Sequence, residues 1–261
     1  MPETDDAVRP ASADHRCTIV VPCYNEASRL PTGKFTAFLR RSPEINFLFV
    51  NDGSRDDTLE VLETLRRACP SSVEVLDKPV NAGKSEAVRD GMLRAIELGK
   101  GGFVGFWDAD LATPLEAIPD LLQKLIDHPA LQMVFGARIR LLGRKVHRKA
   151  SRHYLGRVFA TVASIVLRLP VYDTQCGAKI FRINPGLSQI LSEPFISRWV
   201  FDVEILARFI ALNDGNVQPL HDAIYEFPLH SWEDIAGSKV KPGDFLLAFV
   251  DTFRIYRKYL R

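Results

Sequence analysis

The chain has 261 residues, 46% hydrophobic and 25% charged, with a formal net charge of +2 at pH 7. That length suits one large α/β domain or two small ones, and the composition is that of an ordinary globular protein, which excludes fibrous and wholly disordered classes. Charge so close to balance gives no argument for bulk nucleic-acid binding, and no nucleic-acid partner is expected.

Residues 1–16, MPETDDAVRPASADHR, lack an apolar core and read as a disordered tail rather than a signal peptide. Residues 17–261 carry the folded pattern. Short apolar runs rich in β-branched and aromatic residues alternate there with helical periods. The strand candidates are CTIVVP from Cys17, INFLFVND from Ile45, VEVLD from Val73, GFVGFWDAD from Gly102 and LQMVFGAR from Leu131. Helices are predicted from Thr58, after Lys84, and over TPLEAIPDLLQKL. In that last segment Thr113 reads as an N-cap, Pro114 as the first helical residue and Glu116 as the partner in a capping box.

The stretch from Arg138 to Arg157 is basic and runs into a helix whose apolar positions Leu155, Val158, Phe159, Val162, Val166 and Leu169 share a face. DTQCGAKIF follows, then a helix over RWVFDVEILARFIALN, a strand DAIYEFP, a loop HSWEDIAGSK and a C-terminal helix DFLLAFVDTFRIYRKYLR. In that helix Phe245, Leu246, Phe249, Val250, Phe253 and Tyr256 form the apolar side, while Arg254, Arg257, Lys258 and Arg261 collect near its end. No stretch approaches the roughly 20 apolar residues of a membrane span. The cysteines Cys17, Cys23, Cys69 and Cys176 form no Cys-x-x-Cys pair, which disfavours a zinc site or disulfide framework and fits a cytoplasmic location.

Strand–helix alternation of this kind predicts an α/β fold with a mostly parallel sheet, helices on both faces, and amphipathic helices in the C-terminal half. Ligands of such sheets bind beyond the carboxyl ends of the strands, where PCYNE, VNDGS, WDAD and GAR cluster here. The Gly83-Lys84-Ser85 triplet invites comparison with an ATPase phosphate loop. That loop needs a glycine five positions before Gly83, and Lys78 stands there. A dinucleotide fingerprint is equally absent after the first strand. In FWDADLATP, by contrast, Asp108 and Asp110 end an apolar strand. Their paired charge suits a hard divalent cation that prefers oxygen ligands, Mg²⁺ or Mn²⁺, against the plainer reading of two solvated turn residues.

TIVVPCYNE, FVNDGSRDDT, NAGKSEAVRDG, DADLAT, GAR, DTQCGAKIF, RWVFDVEIL and WEDIAGSK occur in one order with domain-like spacing. The ordered set resembles glycosyltransferase family 2, of the Rossmann-like GT-A fold. Within it the chain is most similar to the dolichyl-phosphate β-glucosyltransferases and related polyprenyl-phosphate sugar transferases. The resemblance covers Cys17 to Arg261 and implies a nucleotide-binding half over 17–137 and an acceptor-binding half over 138–261. It implies that Pro22, Tyr24, Glu26, Val50, Asp52, Asn81, Lys84, Asp108, Ala109 and Asp110 bind a nucleotide-sugar. Asp108 and Asp110 would also hold the metal. Arg138, Lys179, Arg198, Trp232 and Lys239 would meet the acceptor and its phosphate, and Asp110, Asp173, Asp202 and Lys239 would carry the catalysis. The family's loop usually reads Gly-Lys-Gly-Gly, and Ser85 and Glu86 replace its last two glycines here. Mannosyl relatives carry a Gln two residues beyond the second aspartate; Ala112 at that position matches the glucosyl type. His230, a lone histidine, reads as structural ahead of a third metal ligand.

A departing nucleoside diphosphate gains negative charge, which a metal and lysines stabilise. A phosphate acceptor, with its second pKa at about 6, is already largely dianionic at neutral pH. It needs positive charge rather than a strong base, whereas a sugar hydroxyl needs a positioned carboxylate such as Asp173 or Asp202. The expectation is therefore an inverting, metal-dependent transfer of a hexose from UDP-glucose to a polyprenyl or dolichyl phosphate, with peripheral contact to the cytoplasmic face of a membrane. A GDP-mannose donor, a soluble hydroxyl acceptor and a nucleotide-sugar-binding protein without turnover are the alternatives.

Overall fold

The computed structural model describes residues 15–147, 150–235 and 242–261. The tail expected over 1–16 falls mostly outside them, but Arg16 already belongs to the fold, its carbonyl accepting from the Phe103 N–H. In chain order the elements are β1 (Cys17–Cys23), α1 (Thr32–Leu39), β2 (Ile45–Asp52), α2 (Thr58–Ala68), β3 (Val73–Lys78), α3 (Lys84–Leu98), β4 (Phe103–Trp107), α4 (Ala117–Asp127) and β5 (Met133–Ala137). Then come β6 (Lys145–His147), α5 (Ala150–Leu167), β7 (Ala178–Arg182), α6 (Pro185–Leu191), α7 (Phe201–Leu212), α8 (Gln218–Ala223), β8 (Ile224–Pro228), β9 (Ser231–Glu233) and α9 (Pro242–Tyr259).

Seven strands form one sheet in the order β3-β2-β1-β4-β7-β5-β8, and β6 pairs with β9 in a small second one. β1 runs parallel to β2 and β4, and β2 to β3, so every residue of INFLFVND is buried, as a central parallel strand requires. Alternate side chains serve two cores. Ile19, Val21, Phe47 and Phe49 face α1, α2 and α4, while Val20, Leu48 and Val50 face α3, with α5, α6, α7 and α9 farther along the same side. Phe35 of α1 meets Phe47 and Phe49 edge-on at 5.1 and 5.0 Å. Each such ring buried contributes about 1.5–3 kcal/mol.

Three local expectations are corrected. β7 inserts antiparallel between β4 and β5, and Lys179 near its start hid it by breaking the apolar run. α4 begins at Ala117 rather than beside Thr113, because Leu111 to Glu116 form turns of their own and the Thr113 hydroxyl faces the Cys176 thiol at 3.8 Å. The amphipathic helices are rotated from the faces assigned above. α5 packs inward through Phe159, Ala160, Ala163 and Leu167, leaving Leu155 and Val158 exposed. α9 packs through Ala248, Thr252 and Ile255, leaving Val250 and Phe253 exposed. Small alanines let these helices approach closely, so packing rather than side-chain size chose the inner face.

Candidate active site

The carboxyl ends of β1, β2 and β4 and the heads of α3 and α7 converge at one rim. At the end of β2, Asp52 is 2% exposed and serves as a scaffold. Its Oδ1 accepts from the Ala82 N–H at 3.0 Å, and its Oδ2 accepts from the Gly83 N–H at 2.8 Å and the Asn81 amide at 2.9 Å. Next to it Gly53 has φ +62°, and a Cβ there would run into the backbone of Val80 and Asn81. The loop carrying Lys84 is thus built on Asp52, which departs from the expectation that this carboxylate is open to a base. Val50 is fully buried in the core, so its side chain has no access to a ligand.

At the end of β1, Pro22 and Tyr24 are half-buried and Glu26 is buried. Arg29 donates to both Glu26 oxygens at 2.7 and 3.0 Å. The Glu26 N–H donates to the Thr58 hydroxyl at 2.8 Å, and the Asn25 side chain accepts from the Arg55 N–H. These bonds pin the PCYNE turn to the loop after β2.

The β4 end carries the acidic pair. The Asp108 N–H donates to the Gly177 carbonyl at 3.0 Å, and the Asp110 carboxylate accepts from the Ala112 N–H at 3.0 Å. Lys84 Nζ sits 2.5 Å from Asp108 Oδ1. Burial opposes the Lys84 charge, but Asp108, Asp202 and Asp110 outweigh it and hold the ammonium above its ordinary pKa. Asp110 stands at the solvent edge with Ala109 buried beside it. Desolvation and then the Asp108 charge push its carboxyl upward.

Asp202, in the first turn of α7, is buried and meets Lys179 Nζ at 2.6 Å. Burial raises its pKa against the pull of Lys179 and Lys84. Lys179 itself is 1% exposed and donates to the carbonyls of Thr174 and Cys176 at 3.0 and 2.5 Å. It therefore braces the wall of the site and is closed to an acceptor phosphate, correcting the role assigned to it. Asp173 is held in turn by Arg138, whose N–H, Nε and Nη2 donate at 3.0, 2.6 and 2.7 Å. The Arg138 guanidinium lies over the Trp232 ring at 5.3 Å. Arg198 is exposed, its stem packed on Gly83 at the head of α3. Lys239 lies outside the described residues. His230 is exposed beside Asp120 and Arg144 rather than with the acidic pair.

Sequence reasoning missed three participants. Glu226 of β8 accepts from the Tyr172 N–H at 2.9 and 2.8 Å and from the Asp173 N–H at 2.8 Å. Arg157 stacks on Tyr172 at 3.7 Å and donates to its carbonyl. Gly177 lies so close to Asp108 that a Cβ there would strike the carboxylate. The one sequence signal was YEF, a charge inside a strand pattern.

The comparisons with known proteins concern this arrangement. The family model described as Glycosyl transferase family 2 matches residues 18–185. A dolichyl-phosphate beta-glucosyltransferase of Trichomonas vaginalis is 30% identical over 250 residues, covering 91% of this chain and 70% of its own. Another from Dictyostelium discoideum is 31% identical, covering 93% of this chain and 74% of its own. The chain belongs to glycosyltransferase family 2. It is a hexosyltransferase with the mostly parallel GT-A sheet. Among solved structures, mannosyl-3-phosphoglycerate synthase from Rubrobacter xylanophilus superposes with a TM-score of 0.68 at 18% identity, covering 94% of this chain and 74% of that one. Glucosyl-3-phosphoglycerate synthase from Mycobacterium tuberculosis, in complex with Mn²⁺, UDP-glucose and phosphoglyceric acid, gives 0.63 at 19% identity, covering 93% and 80%.

In this glycosyltransferase the donor set for a cation is short. Among the described residues no group of three His, Cys, Asp or Glu side chains is placed to share an ion. The Asp108 and Asp110 carboxylates are two hard oxygen donors whose mutual repulsion a divalent cation would relieve. Two protein carboxylates leave coordination positions for diphosphate oxygens, so Mg²⁺ or Mn²⁺ fits the residues present.

Proposed function

We propose that this glycosyltransferase moves glucose from UDP-glucose to a polyprenyl or dolichyl phosphate, with inversion at the sugar and with Mg²⁺ or Mn²⁺ on Asp108 and Asp110. Residues 17–137 form the donor half and 138–261 the acceptor half. The carrying observation is that both carboxylates eligible as general base are tied up: Asp173 by Arg138 at 2.6 Å and Asp202 by Lys179 at 2.6 Å. Both carboxylates are also buried, which closes them to an acceptor hydroxyl, and a nucleophile that is already anionic needs no base. Support for the lipid phosphate and the glucosyl group comes from the dolichyl-phosphate beta-glucosyltransferase relatives. Support for the UDP-glucose donor comes from the mycobacterial complex, which shares the fold.

Lys84 and Arg198 at the head of α3 would supply positive charge for the diphosphate, beside the Asp108 and Asp110 carboxylates that would hold the cation. The cation, when bound, offsets the charge that develops on the leaving UDP. Arg138, fixed by Asp173 and Trp232, is assigned to the acceptor phosphate, and Lys239 to the same role. Pro22, Tyr24, Glu26 and Asn81 border the nucleoside, with Asp52 acting through the loop it holds.

The test offers radiolabelled UDP-glucose and GDP-mannose separately to dolichyl phosphate and to 3-phosphoglycerate, with Mn²⁺ or EDTA. Mn²⁺-dependent label from UDP-glucose entering the organic phase is the expected result. Label carried only by phosphoglycerate, or only from GDP-mannose, contradicts the reading.

A further inference from the structure

We propose that the outer faces of α5 and α9 form one platform that seats the enzyme on an anionic lipid bilayer. This deepens the lipid-acceptor reading and rests on it. The two helices lie side by side, joined by Phe159 against Phe249 at 5.8 Å, and both turn their inner faces to the same core. Their outer faces therefore look the same way. On α5, Val158 and Ile165 stand one above the other at helical spacing with Leu155 beside them, Ile165 being 71% exposed. On α9 the outward positions are Leu247, Val250 and Phe253, the last 60% exposed. Water-facing apolar side chains in two adjacent helices exceed the scattered singles of an ordinary surface.

Charge chooses the occupant. Between Arg138 and Tyr172 the sequence contains no aspartate or glutamate. Arg168 is exposed at the end of α5, and Arg257 and Arg261 are exposed at the end of α9, where Arg254 is paired with Asp251 at 3.1 Å. Apolar side chains rimmed by arginine match the boundary between acyl chains and anionic headgroups, where both are favourable at once. No described helix is long and apolar enough to cross a membrane, so attachment by a face is the form available to these residues. α5 also reaches the acceptor wall, because Arg157 donates to the Tyr172 carbonyl at 2.7 Å, next to the Asp173–Arg138 pair. A platform so placed brings a membrane-embedded phosphate to the acceptor side of the site.

The experiment is co-sedimentation of the full chain with vesicles of phosphatidylcholine alone or with added phosphatidylglycerol. It is run beside transfer to a water-soluble short-chain polyprenyl phosphate and to a long-chain one embedded in the vesicles. Partition to the anionic vesicles is expected to exceed partition to neutral ones. Arg257→Glu with Arg261→Glu lowers it on the order of a hundred-fold, and Ile165→Asp with Phe253→Asp lowers it at least about ten-fold. Both variants keep wild-type kcat and KM on the short-chain acceptor and lose transfer to the embedded one. Equal partition to both vesicle types, or variants that partition like wild type, overturns the proposal. So does a dimer in solution that Ile165→Asp with Phe253→Asp converts to a monomer, since the face then belongs to a second copy. Charge-dependent partition without any glucose transfer supports the platform while removing the functional reading, which keeps the two failures apart.

Discussion

Lys179 is a cation held inside the protein by its neighbours. Its ammonium is desolvated on β7, satisfied by two carbonyls and Asp202, and lies over the rings of Phe106 and Phe135 at 5.3 and 5.6 Å. Removing one partner of such a pair leaves an uncompensated buried charge. Lys179→Met is therefore expected to cost about 3–5 kcal/mol in urea denaturation, and adding Asp202→Asn to recover most of it. A single variant as stable as wild type would contradict the bracing role. Gly177 acts at the same scale. Gly177→Ala forces the Asp108 carboxylate aside, so Mn²⁺ and UDP affinity by calorimetry should fall, with a stability loss of only about 1–3 kcal/mol. Unchanged affinities would show that the contact is easily relaxed. Cys176, also buried at this wall, has its thiol pushed up to about 11, chiefly by desolvation. It should resist iodoacetamide at neutral pH while the partly exposed Cys69 reacts, as mass spectrometry of the folded protein can check.

At the scale of elements, β8 and the turn before β7 are joined through Glu226. Burial raises its carboxyl above the ordinary glutamate value, more than the Tyr172 and Asp173 N–H groups lower it. The folded chain thus holds this proton more tightly than the unfolded chain. Its share of stability is fullest below the unfolded value and falls as pH rises through the folded one. Measured against Glu226→Gln, wild type should lose relative stability from the ordinary glutamate pKa upward, by urea unfolding at successive pH values. A relative gain over that range would reverse the assigned direction. The same elements show what the sequence made legible. β1, β2 and β5 lay within a few residues of where apolar runs placed them, because strands buried on both faces leave nearly continuous apolar residues, and the half-buried edge strand β3 showed as a shorter alternating run. β7 escaped because it is only five residues long and carries a lysine at its second position, whose charge is met by Asp202 of a distant helix. α5 and α9 were found as helices but turned the wrong way, since Ala160, Ala163 and Thr252 pack inward while bulkier Val158 and Phe253 do not. The motifs that carry Asp108, Asp110 and Lys84 in the sequence do meet at one rim of the structure. Glu226 and Arg157 were not legible, because Glu226 meets backbone N–H groups 54 and 53 residues away and Arg157 meets the carbonyl and ring of Tyr172, contacts that leave no motif.

Over the whole molecule, the sheet gathers its chemistry at one edge. Strand ends bring the acidic pair, α3 brings Lys84, and α7 brings Asp202, while the antiparallel β7 adds the loop that flanks Asp108. Arg138, Asp173, Trp232 and Glu226 form the opposite wall, continuous with α5. One side of the site is thus organised around negative charge and the other around arginine, which is the division the proposed function assigns to donor and acceptor. The proposed function depends on Asp108 and Asp110 holding a cation for the diphosphate. The most direct measurement is the anomalous signal of manganese in crystals soaked with Mn²⁺ and UDP, for wild type and Asp110→Asn. A peak is expected between the Asp108 and Asp110 carboxylates and the diphosphate, lost in the variant together with at least about a hundred-fold in kcat. Manganese bound elsewhere, or a variant that keeps both the peak and the turnover, would contradict it.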